Sequence, residues 1–383
     1  MKRIGIAVLG STGSIGQQTL EVIRSLPERF NVIALAAGRN VTALEAQVRE
    51  FRPRLVSTGQ EEDYLQSSLN GGDVKGRWAT MEDMASHPDV DVVVVATVGA
   101  AGLGPSLAAA RAGKAIAIAN KEVLVMAGHI MTAEAKRYGA ELRPVDSEHS
   151  AIWQCLWGEK KASIDRLIIT ASGGALRDLD DDELERVTAA QALRHPNWQM
   201  GKKITVDSAT LLNKGLECIE AHWLFGVPYE QIEVVLHRES IVHSLVEFTD
   251  GSVKAQLGVP DMRLPIQCAL TYPERVRGDV PRLDLKMIGN LTFGIPTRKR
   301  YPCLALTLEA GRKGGTAPAV LAAADEVAVE HFLAGRIAFQ DIARVIEDAL
   351  GADSHIANPS LEEVIEADQR ARAFAEDWVA AKA

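Results

Sequence analysis

The chain opens on an uninterrupted apolar run, Ile4-Gly-Ile-Ala-Val-Leu9. Such a run predicts a strand buried on both faces. From Gln17 to Leu26 the apolar residues Leu20, Val22 and Ile23 follow a helical pattern, and Pro27 ends it. Val32–Ala36 predicts a second strand. Thr42–Phe51 predicts a second helix, with Leu44, Val48 and Phe51 on one face. Val90–Ala96 reads as a central parallel strand, Leu107–Ala112 as a helix and Ala115–Ala119 as another strand. Strands alternating with helices imply an α/β fold built on a doubly wound parallel sheet.

Beyond about residue 145 the pattern changes. Ile164–Thr170, Ile232–Leu236, Ser244–Phe248 and Ser252–Leu257 read as strands, the last two joined by an Asp250-Gly251 turn into an antiparallel hairpin. Asp181–Thr188 reads as a helix. A helix within Thr205–Phe225 carries Leu212, Leu216, Ile219 and Trp223 on its apolar side. A Pro-, Gly- and base-rich stretch from 278 to about 303 reads as a linker. The segments 304–311, 317–334, 339–350 and 360–380 then read as a small helical domain. The expected division is 1–150, an N-terminal Rossmann-like nucleotide domain; 151–290, a central α+β domain; and 291–383, a C-terminal helical domain.

Composition narrows the function classes. A length of 383 residues suits two or three domains. With 42 Lys and Arg against 51 Asp and Glu, the net charge is −9, which lacks the broad basic field a nucleic-acid partner needs. The four cysteines, Cys155, Cys218, Cys268 and Cys303, are widely spaced. That spacing argues against a zinc knuckle or a disulfide framework. No apolar run reaches the length of a membrane span, and the run after Met1-Lys2-Arg3 is too short for a signal core. A cytoplasmic protein with no membrane partner is expected.

Chemistry enters at Gly10-Ser-Thr-Gly13-Ser-Ile-Gly16, between the first strand and the first helix. Glycines there let a pyrophosphate approach the backbone and meet free N–H groups at a helix N-terminus. The end of the second strand, Gly38-Arg39-Asn40, lacks the acid of an NAD site. It offers Arg39 for a 2′-phosphate, so NADP is favoured over NAD.

Two polar clusters follow. In Pro144-Val-Asp146-Ser147-Glu148, an extended chain would turn both carboxylates to one side, where Mg²⁺ or Mn²⁺ would neutralise them; a solvated strand end is the commoner reading of this spacing. In Asp207-Ser208-…-Asn213-Lys214-…-Glu217, Asp207 or Ser208 would cap a helix on which Asn213 and Glu217 share a face. Glu217 would then complete a three-carboxylate metal site, and Ser208, Asn213 and Lys214 would hold a phosphate. An ordinary capped surface helix fits the spacing equally well. Ser172-Gly173-Gly174 offers a hydroxyl and backbone N–H groups to an oxyanion. The loop from His195 to Gly201, with Trp198 and Met200, reads as a lid or as a loop pinned to the core.

These residues resemble one family closely: 1-deoxy-D-xylulose 5-phosphate reductoisomerase. The matching segments include GSTGSIG (10–16), AGRN (37–40), ANKE (119–122), PVDSEHSAI (144–152), SGG (172–174), the long run RHPNWQMGKKITVDSATLLNKGLE (194–217), RYPCL (300–304) and GGTAPAVL (314–321). The resemblance implies a metal-dependent skeletal rearrangement followed by reduction with NADPH, giving 2-C-methyl-D-erythritol 4-phosphate in the non-mevalonate isoprenoid pathway. It implies Asp146, Glu148 and Glu217 as ligands of one divalent cation per subunit, Mg²⁺ or Mn²⁺. Ser147, Glu148, Ser172, His195, Trp198, Met200, Ser208, Asn213, Lys214 and Glu217 would bind the sugar phosphate, with Lys121, Glu148 and His195 catalytic. Thr12, Gly13, Ser14, Ile15, Gly38, Arg39, Asn40, Asn120, Glu122 and Gly201 would contact NADPH. Arg39, Lys121, His195 and Lys214 would face phosphates and developing negative charge. A homodimer is implied by the family alone.

The chain departs from the family pattern in three places. His237-Arg238-Glu239-Ser240 stands for a usual His-Pro-Gln-Ser, Ala175-Leu176 for Pro-Phe, and Ala322-Ala-Ala-Asp325-Glu for Asn-Ala-Ala-Asn-Glu. Two alternatives remain at this stage: another NADPH-dependent oxidoreductase of the semialdehyde or homoserine dehydrogenase type, and a non-catalytic NADPH-binding sensor.

Overall fold

In the computed structural model, residues 3–59 and 77–382 are described. The strands are β1 (Ile4–Leu9), β2 (Phe30–Ala37), β3 (Leu55–Thr58), β4 (Arg77–Trp78), β5 (Val92–Val95), β6 (Ala115–Ile118), β7 (Glu141–Pro144), β8 (Ile164–Ala171), β9 (Ile232–Leu236), β10 (Val242–Phe248) and β11 (Val253–Leu257). The α-helices are α1 (Ser14–Ser25), α2 (Val41–Phe51), α3 (Met81–Ser86), α4 (Leu103–Arg111), α5 (Lys121–Tyr138), α6 (Ser147–Cys155), α7 (Asp181–Leu184), α8 (Ala189–Ala192), α9 (Lys202–Thr210), α10 (Leu212–Phe225), α11 (Arg263–Thr271), α12 (Pro302–Lys313), α13 (Ala317–Leu333), α14 (Asp341–Ala352) and α15 (Leu361–Lys382).

By contacts the chain forms two compact units. One takes the residues up to Val123 together with His129–Ser150 and Asp261–Pro281; the other takes Leu124–Gly128, Ala151–Pro260 and the residues from Arg282 onward. The first unit is a seven-stranded sheet of order β4-β3-β2-β1-β5-β6-β7, parallel throughout. The strand order reverses between β1 and β5, and that reversal is where such sheets open a crevice beyond their strand ends. Its core joins Ile6, Val8, Leu35, Val56 and Val94 to Ile266, Ala269 and Leu270. Thus α11, far along the sequence, belongs to this unit. Burying side chains like Ile266 and Leu270 contributes about 1.5–3 kcal/mol each.

The second unit holds a four-stranded mixed sheet, β11-β10-β8-β9, in which only β8 and β9 run parallel. Helices α12–α15 form the helical part, cored by Val320, Leu321, Phe332, Ile346 and Val379. The hairpin and the four C-terminal helices stand where their periodicity placed them.

Local expectations change at three points. The expected helix within 205–225 is α10, but it starts only at Leu212, because Leu211 adopts a left-handed conformation (φ 56°) that separates it from α9. Asp207 and Ser208 therefore lie inside α9 and cap nothing. Of Asp181–Thr188 only Asp181–Leu184 is helical, as α7; Thr188 caps the next short helix, α8. Finally, Asp146 and Glu148 are not on a strand. The strand β7 ends at Pro144, and the Asp146 carbonyl accepts the Ser150 N–H at 2.8 Å. Asp146 is thus the N-cap of α6, with Glu148 in its first turn, where the helix dipole favours negative charge.

Candidate active site

In the first unit, β1 leads into α1 through the glycine loop. Gly10 sits at φ 91°, and a Cβ there would lie 2.4 Å from the Ala96 carbonyl oxygen. At Gly16 a Cβ would lie 2.2 Å from the Gly10 oxygen. Both positions exclude side chains on internal grounds. Gly13 differs: its Cβ would meet nothing nearer than 3.4 Å, and Gly13 and Ser14 are exposed. Gly13 is the N-cap of α1, and no side chain caps that terminus. The first N–H groups of the helix are left for an anion. Behind the loop, buried Ser11 exchanges hydrogen bonds with Gln47, donating through Oγ at 2.7 Å and accepting on its carbonyl at 2.9 Å. Thr12 accepts from Gln17 on its carbonyl.

At the end of β2, Gly38, Arg39 and Asn40 are all exposed, and open space surrounds Gly38. Asn40 caps α2 by accepting the Ala43 N–H at 3.1 Å. Asn120 plays the same part for α5: fully buried, it accepts the Val123 N–H and donates to the Gly99 carbonyl at 2.9 Å and to Thr97 at 3.2 Å. Its side chain ties the β5 loop to the start of α5, so Lys121 and Glu122 emerge from a fixed helix end. Lys121 is 8% exposed, and its Nζ lies 2.6 Å from the Asp146 carboxylate. Ser147 Oγ donates to Glu148 at 2.5 Å.

In the second unit the Ser172-Gly173-Gly174 turn follows β8. Gly173 and Gly174 both have positive φ. A Cβ on Gly174 would lie 2.5 Å from the Ala209 Cα and 2.6 Å from the Ser208 oxygen, so the turn lies directly on the backbone of α9. Ser172 Oγ accepts the Gly174 N–H at 3.2 Å and lies 2.9 Å from His195 Nε2. His195 Nδ1 receives the backbone N–H groups of Asn197 (3.2 Å) and Trp198 (2.9 Å). This pattern assigns the lone pair to Nδ1 and the hydrogen to Nε2. Burial, and secondarily the Arg177 guanidinium, hold the His195 pKa down to about 4. His195 is therefore a neutral N–H donor near pH 7. Ser172, already accepting two hydrogen bonds, has its own O–H left to donate.

The lid residues Trp198 and Met200 are half-buried, and Gly201 is exposed as the N-cap of α9. Trp198 sits 6.1 Å from the His243 ring. Asn197 donates to the Arg238 carbonyl at 2.6 Å and to Ser240 Oγ at 2.8 Å. The Arg238 carbonyl also accepts from Arg177, whose guanidinium holds the Ser172 carbonyl at 2.8 Å. One carbonyl thus links lid and turn, a role for Asn197 and Arg177 that spacing does not reveal. The departing side chains serve elsewhere: Arg238 pairs with Asp178, and Glu239 accepts from Thr292.

Helix α10 carries Asn213, Lys214 and Glu217. Glu217 is 1% exposed and Lys214 4%. Asn213 donates to Glu217 Oε1 and Lys214 to Oε2, each at 2.5 Å. The shared face of Asn213 and Glu217 is as the i, i+4 spacing requires, and burial excludes the surface-helix alternative. Ser208 is half-buried on α9.

Three family models match: 1-deoxy-D-xylulose 5-phosphate reductoisomerase over residues 6–128, its C-terminal domain over 142–225, and the DXP reductoisomerase C-terminal domain over 257–374. The 1-deoxy-D-xylulose 5-phosphate reductoisomerase of Pelotomaculum thermopropionicum is 54% identical over 372 residues, 96% of each chain. That of Bacillus cereus strain Q1 is also 54% identical, over 96% of this chain and 98% of its own. Among solved structures, a DOX-P reductoisomerase in complex with NADPH, fosmidomycin and magnesium superposes with a TM-score of 0.93 at 40% identity, covering 98% of both chains. The Zymomonas mobilis reductoisomerase in complex with NADPH gives 0.92 at 40% identity, covering 99% of both. The chain belongs to the 1-deoxy-D-xylulose 5-phosphate reductoisomerase family.

Proposed function

We infer that this protein converts 1-deoxy-D-xylulose 5-phosphate into 2-C-methyl-D-erythritol 4-phosphate, by a metal-dependent rearrangement of the carbon skeleton followed by reduction with NADPH. It is an NADPH-dependent reductoisomerase of the non-mevalonate isoprenoid pathway. The observation that carries this reading is the family likeness along almost the whole chain, 54% identity over 372 residues. Within that likeness the polar side chains of the proposed site are present and paired, as at Lys121–Asp146, Ser172–His195 and Lys214–Glu217.

The residues suit the implied groups. The uncapped N-terminus of α1, the open Gly13 and the exposed Arg39 fit a pyrophosphate and a 2′-phosphate. Asp146, Glu148 and Glu217 would offer an all-carboxylate donor set, which suits a hard cation such as Mg²⁺ or Mn²⁺. When bound, the cation supplies Lewis-acid polarisation of the substrate's oxygens, and NADPH supplies hydride.

The chain's own residues bind and orient. Ser172, Ser208, Asn213 and Lys214 hold the substrate's phosphate, and His195 donates Nε2–H beside Ser172. Ser147 and Glu148 hold the oxygens near the reacting carbons, and Lys121 supplies positive charge there. Trp198 and Met200 cover the ligand and exclude water. Thr12, Ser14, Ile15, Gly38, Asn40, Asn120, Glu122 and Gly201 line the cofactor site, the two asparagines acting through the caps they form. The proposed functional division keeps the three regions 1–150, 151–290 and 291–383, although 261–281 packs with the first. A homodimer is proposed from the family, and the exposed apolar side chains of Leu285, Met287, Phe293 and Ile295 supply a surface for a second copy. A cytoplasmic location is proposed; no helix among the described residues is long and apolar enough to cross a membrane.

The test is direct. Purified protein, NADPH, Mg²⁺ and 1-deoxy-D-xylulose 5-phosphate should consume NADPH and yield 2-C-methyl-D-erythritol 4-phosphate by mass spectrometry. Absence of that product would overturn the reading.

A further inference from the structure

Beneath the proposed phosphate site lies a cluster of charges that none of the roles above uses. Lys203, on the first turn of α9, places Nζ 2.6 Å from Asp207 Oδ2 on its own helix and 2.6 Å from Asp325 Oδ2 on α13. The side chains of Asp207 and Asp325 are 3% and 0% exposed. The second oxygen of Asp325 is buried with no hydrogen-bond partner among the described residues. Two carboxyls thus share one ammonium, in the interior, at the position where the family commonly has asparagine in place of Asp325.

The placement of α9 gives this cluster a functional consequence. The helix begins at Gly201, where the lid ends, and it carries Ser208 next to Asp207. The Ser172–Gly174 turn rests on its backbone at Ser208 and Ala209. Whatever sets the distance between α9 and α13 therefore sets where Ser208 and the turn stand.

We propose that Lys203 is a positioning residue for the substrate's phosphate end, holding α9 against α13 through Asp207 and Asp325, and that Asp325 makes this hold weaken in alkali. The proposal rests on the phosphate role assigned above to Ser172 and Ser208.

The charge balance explains the pH dependence. Burial first, and then the neighbouring Asp207, push the Asp325 carboxyl up to about 8. Near neutral pH it keeps a proton, as an asparagine keeps its N–H, and one carboxylate balances one ammonium. Once that proton leaves, two carboxylates compete for Lys203 and α9 is repelled from α13. The other groups facing the cluster leave this window clear. Glu326 on α13 is paired with Arg372 on α15 at 2.5 Å. Cys303 on α12 is buried beside both carboxyls, which pushes its thiol far above the ordinary range.

The experiment measures KM for 1-deoxy-D-xylulose 5-phosphate, kcat and the NADPH Kd from about pH 6 to about pH 9. The wild type is compared with Asp325→Asn, Lys203→Gln and the double variant. Expected in the wild type is a KM that rises as pH passes about 8. Asp325→Asn should keep the neutral-pH kcat and lose that rise. Lys203→Gln should raise KM about tenfold at neutral pH, an effect of about 1.4 kcal/mol, with the NADPH Kd unchanged. The double variant should keep the Lys203→Gln loss at neutral pH and, like Asp325→Asn, show no alkaline rise. An Asp325→Asn profile that keeps the alkaline rise overturns the proposal. So does an unchanged KM in Lys203→Gln, or KM, kcat and NADPH Kd all worsening together in that variant. If Lys203→Gln does not fold, the Asp325→Asn profile decides alone. Failure of the underlying reading looks different: the wild type itself would then show no turnover.

Discussion

Ser172 Oγ and His195 Nε2 lie 2.9 Å apart, with Nδ1 of the same imidazole committed to two backbone N–H groups. The pair is therefore neutral, with the imidazole N–H donated to Ser172 and the serine O–H left for a phosphate oxygen. Hydrogen bonds to a charged group contribute about 1.5–3 kcal/mol each. Ser172→Ala and His195→Phe should each raise KM for the sugar phosphate by roughly 10- to 100-fold, with the NADPH Kd unmoved in a fluorescence titration.

The same pair fixes a pH dependence. The folded state depresses the His195 pKa from 6.5 to about 4, so it favours the neutral ring. Its contribution to stability is present above about 6.5 and is lost as pH falls towards 4. His195→Asn should flatten the unfolding free energy across that window, as read by denaturant melts at stepped pH.

Asp325 produces the opposite slope. Its folded pKa is raised from 3.8 to about 8, so the folded state favours the protonated form. Stability should decline as pH rises from about 4 to about 8 and then level off. Asp325→Asn should remove that decline in the same melts.

The three loop glycines separate folding from binding. Alanine at Gly16 meets backbone at 2.2 Å and should destabilise the fold by about 1–3 kcal/mol through overpacking. Alanine at Gly13 meets nothing closer than 3.4 Å, so the melting temperature should stay near wild type while NADPH affinity falls. Arg39→Ala should weaken NADPH by about 10- to 100-fold and leave NADH binding almost unchanged, since only NADPH carries a 2′-phosphate.

Much of this architecture is legible in the amino-acid order, because buried parallel strands such as Val92–Val95 are apolar on both faces and helices such as Thr42–Phe51 keep a clear stripe. Other elements hide. The first turns of the α5 helix carry Val123-Leu-Val-Met-Ala127, a run without helical periodicity because it is buried. Its cap, Asn120, and the cap of α6, Asp146, were chemically conspicuous as site residues, and that obscured their backbone role. The kinship of α11 with the first unit depends on contacts across more than a hundred residues, such as Arg143 to the Ala269 carbonyl. At the site, residue types make Ser172, His195, Lys214 and Glu217 candidates, but a plain turn or a surface helix fits the same spacing, and only the family resemblance separates them. The Asn197–Arg177 link and the Lys203 clamp depend on which helices pack together, which local spacing does not encode.

The proposed reaction requires a divalent cation, with Asp146, Glu148 and Glu217 as its proposed ligands. The most direct measurement is NADPH consumption with 1-deoxy-D-xylulose 5-phosphate after exhaustive chelation, followed by return of Mg²⁺ or Mn²⁺, with NADPH binding monitored in parallel. Turnover should vanish on chelation and return with the metal, NADPH should bind throughout, and Glu217→Gln should stay nearly inactive even with the metal restored. Full turnover in the chelated protein, or wild-type turnover in Glu217→Gln, would contradict it.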